Sequence, residues 1–249
     1  MILNDIVEKA IEDCINNKQY FGLGNPNAKI LFVGKEAGMP TGSEFIHGSG
    51  ESWRKNDYSK RFQAEGAVRH GRHTWQRYQK LYELIIGKLQ IQDESLMAKM
   101  HEITFVENVF ATELSNLPAP TTKEAKKNPD FIQNLKKRKE EFWRSEFISR
   151  FPIIIITALD NKYIETYQGE VCELFDVKFC ESESAAKIWV HYATNENKVF
   201  PKLLIHTRQL TNGASNSLLE KIADIVKDFV IRNNIELRSI DSSAQKSNK

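Results

Sequence analysis

KILFVGKEAG, residues 29–38, joins a short, almost wholly apolar run to a turn bounded by glycines. An apolar run closed by turn residues suits a strand buried on both faces, and strands of that kind belong to parallel sheets. Three further runs share this character: Ile103–Val109, Pro152–Thr157 and Lys202–His206. Helical patterns separate them, over Thr74–Ile86, Phe131–Phe147 and Ser217–Asn233, and an amphipathic stripe of Ile6, Val7, Ala10, Ile11, Cys14 and Ile15 precedes the first. Strands alternating with helices imply an α/β protein. The expected architecture is a three-layer α/β/α sandwich with a central four-stranded parallel sheet. Val177–Cys180 and Ile188–Tyr192 read as extra short strands in an insertion with no assigned role.

With 249 residues, 41% of them hydrophobic, the chain can bury one sizeable core, read as a single domain over 1–240. Residues 241–249 lack apolar anchors and are expected to form a disordered tail. The formal charge of +2 does not itself announce a nucleic-acid partner, so that argument rests on local clusters. Three cysteines, Cys14, Cys172 and Cys180, without a CxxC pair speak against a disulfide framework, an iron-sulfur cluster or structural zinc. The N-terminal segment has neither a signal-peptide nor a membrane-span pattern, and the expected setting is cytoplasmic.

Ligands of open parallel sheets bind outside the carboxyl ends of the strands. Glu36 follows the first predicted strand, Asn108 lies at the end of the second, and His206 ends the fourth. Each also has a structural reading: a loop acid, a turn-former, a satisfied histidine. Their order is what resembles the uracil-DNA glycosylase superfamily. GKEAG (34–38) is similar to that family's glycine-started turns, such as GQDPY or GINPG, and HTRQL (206–210) to its HPSPL. ENV (107–109) resembles the segment whose asparagine reads the flipped base, and Leu117–Pro120 its proline-containing loop. Ala37 stands where most members carry proline, and Thr207 and Arg208 where they carry Pro-Ser.

The resemblance implies a DNA glycosylase without metal or cofactor, acting as a monomer on a base flipped out of DNA. Glu36 would orient water and stabilise the oxocarbenium ion, His206 would donate to the leaving base, and Asn108 would read its edge. Gly38 stands where strict uracil enzymes have a tyrosine. It either opens room for a 5-substituted pyrimidine or serves a left-handed turn. Phe45 and Trp53 are candidates to stack on the base. Lys60, Arg61, Arg72 and His73, in a stretch that mixes basic and aromatic residues, are candidates to hold DNA, with Arg208 on a phosphate and Leu210 as a wedge. Gly22–Pro26, GLGNP, resembles the opening of peptidyl-tRNA hydrolases but precedes a strand and is read as an entry turn at the pocket rim. The competing reading is an inactive DNA- or nucleotide-binding module on the same fold. An esterase is weaker, since no GxSxG elbow occurs.

Overall fold

A computed structural model of the chain describes residues 4–40, 42–43, 48–55, 73–98, 102–183, 185–193, 201–211 and 214–237. Its centre is a seven-stranded mixed sheet in the order β1-β3-β2-β4-β7-β6-β5. The strands are β1 (Leu23–Gly24), β2 (Ile30–Gly34), β3 (Val109–Glu113), β4 (Ile153–Thr157), β5 (Val177–Glu183), β6 (Ile188–Ala193) and β7 (Leu203–Thr207). β3, β2, β4 and β7 run parallel, with Ile30 level with both Val109 and Ile153, and Ile153 level with Leu203. The expected four parallel strands are therefore present, but three antiparallel strands extend them. β1 adds to β3, and the β5–β6 hairpin adds to β7. The insertion thus lengthens the sheet.

The parallel strands are buried at every position but Glu113, because they are apolar except near their carboxyl ends. Ile153, Ile154, Ile155 and Ile156 have no exposed surface. Successive side chains point to opposite faces. Leu31, Val33, Ile154 and Ile156 join one hydrophobic cluster with residues of α1 (Asp5–Asn16), α6 (Phe131–Arg138) and α7 (Glu146–Ser149). Ile30, Phe32, Ile153 and Ile155 join a second cluster with α3 (Thr74–Lys88) and α9 (Asn216–Arg232). α9 starts where Ser215 accepts the Leu218 amide and buries Leu218, Ile222, Val226 and Phe229. Each such side chain contributes about 1.5–3 kcal/mol. Short helices α2 (Gly50–Arg54), α4 (Glu94–Ala98), α5 (Thr122–Ala125) and α8 (Glu170–Phe175) complete the elements used below. Among the described residues no helix is long and apolar enough to cross a membrane.

Three expectations are corrected. The second strand lies at 109–113, and Phe105–Glu107 is a 3-10 turn. The buried amide of Gln79 explains the shift: its Oε1 accepts both the Thr104 and Phe105 N–H groups, at 2.8 and 2.9 Å, tying that backbone to α3. Phe105 and Val106 are buried either way, so hydrophobicity alone does not distinguish turn from strand. The helix expected over 131–147 breaks into α6, a π turn at Lys139–Trp143 and α7, which Ser145 caps. The π turn brings the adjacent Phe142 and Trp143 both into the core. GLGNP is also not a pocket rim. Gly24 pairs with Phe110 at φ +99°, and a Cβ there would stand 2.2 Å from the Val109 carbonyl oxygen, so only glycine lets β1 lie against β3. The tail at 241–249 lies outside the described residues.

Candidate active site at the carboxyl edge of the sheet

The backbone after β2 stays pinned to the segment after β3. Gly34, Lys35 and Ala37 carbonyls accept the N–H groups of Leu114, Ser115 and Ala119 at 2.9, 2.8 and 3.0 Å. This holds the KEAG turn beside the end of β3, and brings Glu36 next to Glu113. Gly34 provides the room: a Cβ there would stand 2.1 Å from Glu113 Oε2. Thr122, opening α5, donates its hydroxyl to Glu36 Oε1 at 2.7 Å. The turn after β4 supplies Asp160 and Tyr163. The Tyr163 ring is fully buried and meets Phe131 edge-on at 4.9 Å, while the ammonium groups of Lys35 and Lys126 each lie 5.8 Å from its centre. Both lysines pair with Asp160 Oδ2, Lys126 at 2.5 Å and Lys35 at 3.9 Å.

Three oxygens of this cluster, Glu36 Oε2, Glu113 Oε2 and the Tyr163 hydroxyl, are buried without a well-formed hydrogen bond among the described residues. Burial pushes the Glu113 carboxyl up to about 8; the Glu36 charge adds to this, and Arg138 opposes it. The Tyr163 phenol is pushed up by burial first, then by the neighbouring Glu36, Asp160 and Glu113. At neutral pH Glu113 is therefore largely protonated beside Glu36, and Tyr163 keeps its proton.

Arg138 forms the floor. It is fully buried, donating Nε to the Glu113 carbonyl at 2.9 Å, Nη2 to Thr112 Oγ1 at 3.0 Å, and Nη1 to Gln19 Oε1 and the Tyr20 carbonyl at 3.1 and 2.8 Å. Burial pushes its guanidinium down to about 10. The basic run 136–139 reads in sequence as a solvated face, yet one of its members is a core anchor for β3. On the opposite face of the sheet, Thr157 donates to the Val33 carbonyl at 2.9 Å, so its 2.8 Å contact with Tyr78 is a bond donated by the phenol.

The other expected site residues fall in different places. His206 is in β7, level with Ile156, and 5% exposed; its Nε2 is 2.7 Å from the Ala158 carbonyl oxygen, and burial lowers its pKa. A ring nitrogen facing a carbonyl donates to it, so that N–H is already spent. Asn108 precedes β3 and donates to Asp93 Oδ2 at 3.3 Å. It belongs to the amino edge of the sheet, five residues or roughly 17 Å from Glu113, and does not converge with Glu36. Trp53 has no exposed surface: its Nε1 donates to the Gly22 carbonyl at 2.8 Å and its ring meets Phe21 at 5.0 Å, so it is core rather than a stacking platform. Leu210, 1% exposed, packs in the cluster under α9 and is not a wedge. Arg208 is half-buried in a groove with Lys187 and Ser217 beside the start of α9. His73 is exposed at the cap of α3, its N–H donating to Gln76 Oε1 at 3.2 Å. Gly38 lies outside the left-handed region, and no described residue stands within 4 Å of where its Cβ would be. Phe45, Lys60, Arg61 and Arg72 lie outside the described residues.

Glu113, Tyr163, Thr122 and Lys126 were not singled out by the sequence reading. Glu113 had a usable signal, an acid at the end of the apolar run VFAT, hidden by the misplaced strand. Tyr163 had none. Among the described residues no three His, Cys, Asp or Glu side chains group as metal ligands. No protein-family model, no curated protein and no solved structure matches this chain.

Proposed function

We propose that the chain is a DNA glycosylase that hydrolyses the N-glycosidic bond of a pyrimidine flipped out of DNA, on a three-layer α/β/α scaffold. The two hydrophobic clusters on opposite faces of the sheet support the layering. The reaction rests on one observation: Glu36 and Glu113 each bury a carboxyl oxygen without a well-formed bond among the described residues, side by side at the carboxyl edge of the parallel strands, where burial pushes the Glu113 carboxyl up.

Hydrolysis of the bond places positive charge on the sugar and negative charge on the departing base. Glu36 is the anion beside the sugar and the base that accepts a proton as a water oxygen bonds to C1′. The C1′–N bond breaks, its electron pair goes to the nucleobase, and the ammonium groups of Lys35 and Lys126 lie near enough to the cluster to receive that anion. Glu113, holding its proton, keeps the pair at one negative charge instead of two. His206 is left out of this scheme because its Nε2–H serves Ala158. The space that the described residues leave beside Gly38 favours a pyrimidine with a substituent at carbon 5, such as a hydroxymethylated or glucosylated cytosine in foreign DNA, over uracil alone.

The test is incubation with oligonucleotides carrying uracil, a thymine mismatch, hydroxymethylcytosine or its glucosylated form, followed by alkaline cleavage at abasic sites. Strand cleavage that disappears in Glu36→Gln supports the reading. Tight DNA binding with no abasic product from any of these bases overturns it in favour of a binding module.

A further inference from the structure

Tyr163 contributes nothing to the scheme above, yet its placement is costly. A buried phenol nearly always finds an acceptor, and here the ring is wholly enclosed while its hydroxyl reaches only towards the Glu36 carboxyl, without a well-formed bond among the described residues. Glu36 Oε2 and Glu113 Oε2 likewise lack a well-formed bond among these residues. These oxygens come from three separate segments, the turn after β2, the end of β3 and the turn after β4, and they act on one another electrostatically. Their side chains are not free to turn away. Glu36 is tied to Thr122 through its other oxygen, Glu113 lies over Gly34, and Tyr163 is held by Phe131 and by its own N–H on the Asp160 carbonyl at 2.8 Å.

With the Glu113 proton on its other oxygen, the Tyr163 hydroxyl as donor and Glu36 Oε2 and Glu113 Oε2 as acceptors match the bonding capacity of a single water molecule. We propose that Tyr163 is a positioning residue for the hydrolytic water: its hydroxyl donates to a water that in turn donates to Glu36 Oε2 and Glu113 Oε2. Three protein bonds leave that water one lone pair, aimed at the sugar. On attack the new O–C1′ bond takes that pair, the C1′–N pair leaves with the base, and the proton passes to Glu36. Tyr163 keeps its proton throughout, which its buried, carboxylate-flanked setting favours. The proposal rests on the glycosylase reading for the water's role, but not for its place.

Tyr163→Phe removes the donor and leaves the ring. The expected result is a kcat lower by about 10- to 100-fold with KM within about twofold, since a misplaced nucleophile slows chemistry without weakening DNA binding. High-resolution crystal structures supply a readout independent of activity: a water on all three oxygens in the wild type, lost or displaced in Tyr163→Phe with Glu36 and Glu113 unmoved. An unchanged kcat, an unmoved water in the variant, or no such water in the wild type overturns the proposal. Wild-type protein that releases no base refutes the glycosylase reading, and diffraction still decides the water site by the same criterion.

Discussion

The carboxyl edge of the sheet carries two polar groups of opposite character. At β7 the polar atoms are spent: His206 bonds the Ala158 carbonyl, Thr207 donates to the Lys187 carbonyl at 2.8 Å, and Leu210 closes the segment into the core. Beyond β2, at the end of β3 and beyond β4, Glu36, Glu113 and Tyr163 each keep a buried oxygen without a well-formed bond among the described residues, and Glu113 is held near neutrality by burial. A fold gains nothing from leaving such groups open, because each costs desolvation without a bond in return. A satisfied histidine holds strands together; a buried carboxyl oxygen without a bond calls for an explanation in bound water, strain or chemistry.

The largest effect that would break this contrast is on chemistry. Glu36→Gln should lower base release by about 10²- to 10⁴-fold while leaving the denaturation midpoint nearly unchanged, as measured by abasic-site cleavage beside urea unfolding. A residual rate close to wild type would move the reaction elsewhere. At β7 the largest effect should be on stability: Leu210→Ala is expected to cost about 2–5 kcal/mol in urea unfolding, as a core leucine does. A wedge leucine would instead leave stability untouched and weaken DNA binding.

Glu113 ties the two quantities together through pH. Its carboxyl rises from an ordinary 4.5 to about 8 on folding. Between those values the folded protein holds a proton that the unfolded chain has released, so stability falls as pH rises through that window and levels off above 8. Glu113→Gln abolishes this dependence. The melting temperature of the wild type should drop relative to the variant by about 5 °C or more between pH 5 and 9; parallel curves would mean that Glu113 is not buried as described. The smallest effect is expected at His206, where His206→Ala should cost about 1–3 kcal/mol for the orphaned Ala158 carbonyl and leave the rate per folded molecule within about twofold. A selective loss of rate with stability intact would restore His206 to the chemistry.

Much of the fold was legible in the chain because its signals are local. KILFVG, the isoleucines of 153–156 and LLIH at 203–206 announce buried parallel strands by being almost wholly apolar, and Leu218, Ile222 and Phe229 announce α9 by their period. The position of Glu36, just past a buried strand, followed from the same reading. What stayed hidden depends on partners distant in sequence. Gln79 decides that 105–107 is a turn, Arg138 reaches across to Thr112 and Glu113, and the role of Glu36 depends on residues 113, 122 and 163. Hydrophobic burial is averaged over a segment and survives in its pattern of residue types. Hydrogen-bond satisfaction is settled atom by atom between segments, so the sequence alone determined where β2, β4, β7 and Glu36 lie, and only the tertiary structure decided where β3 begins, that the His206 Nε2–H is spent, and that Glu36, Glu113 and Tyr163 each keep a buried oxygen without a well-formed bond among the described residues.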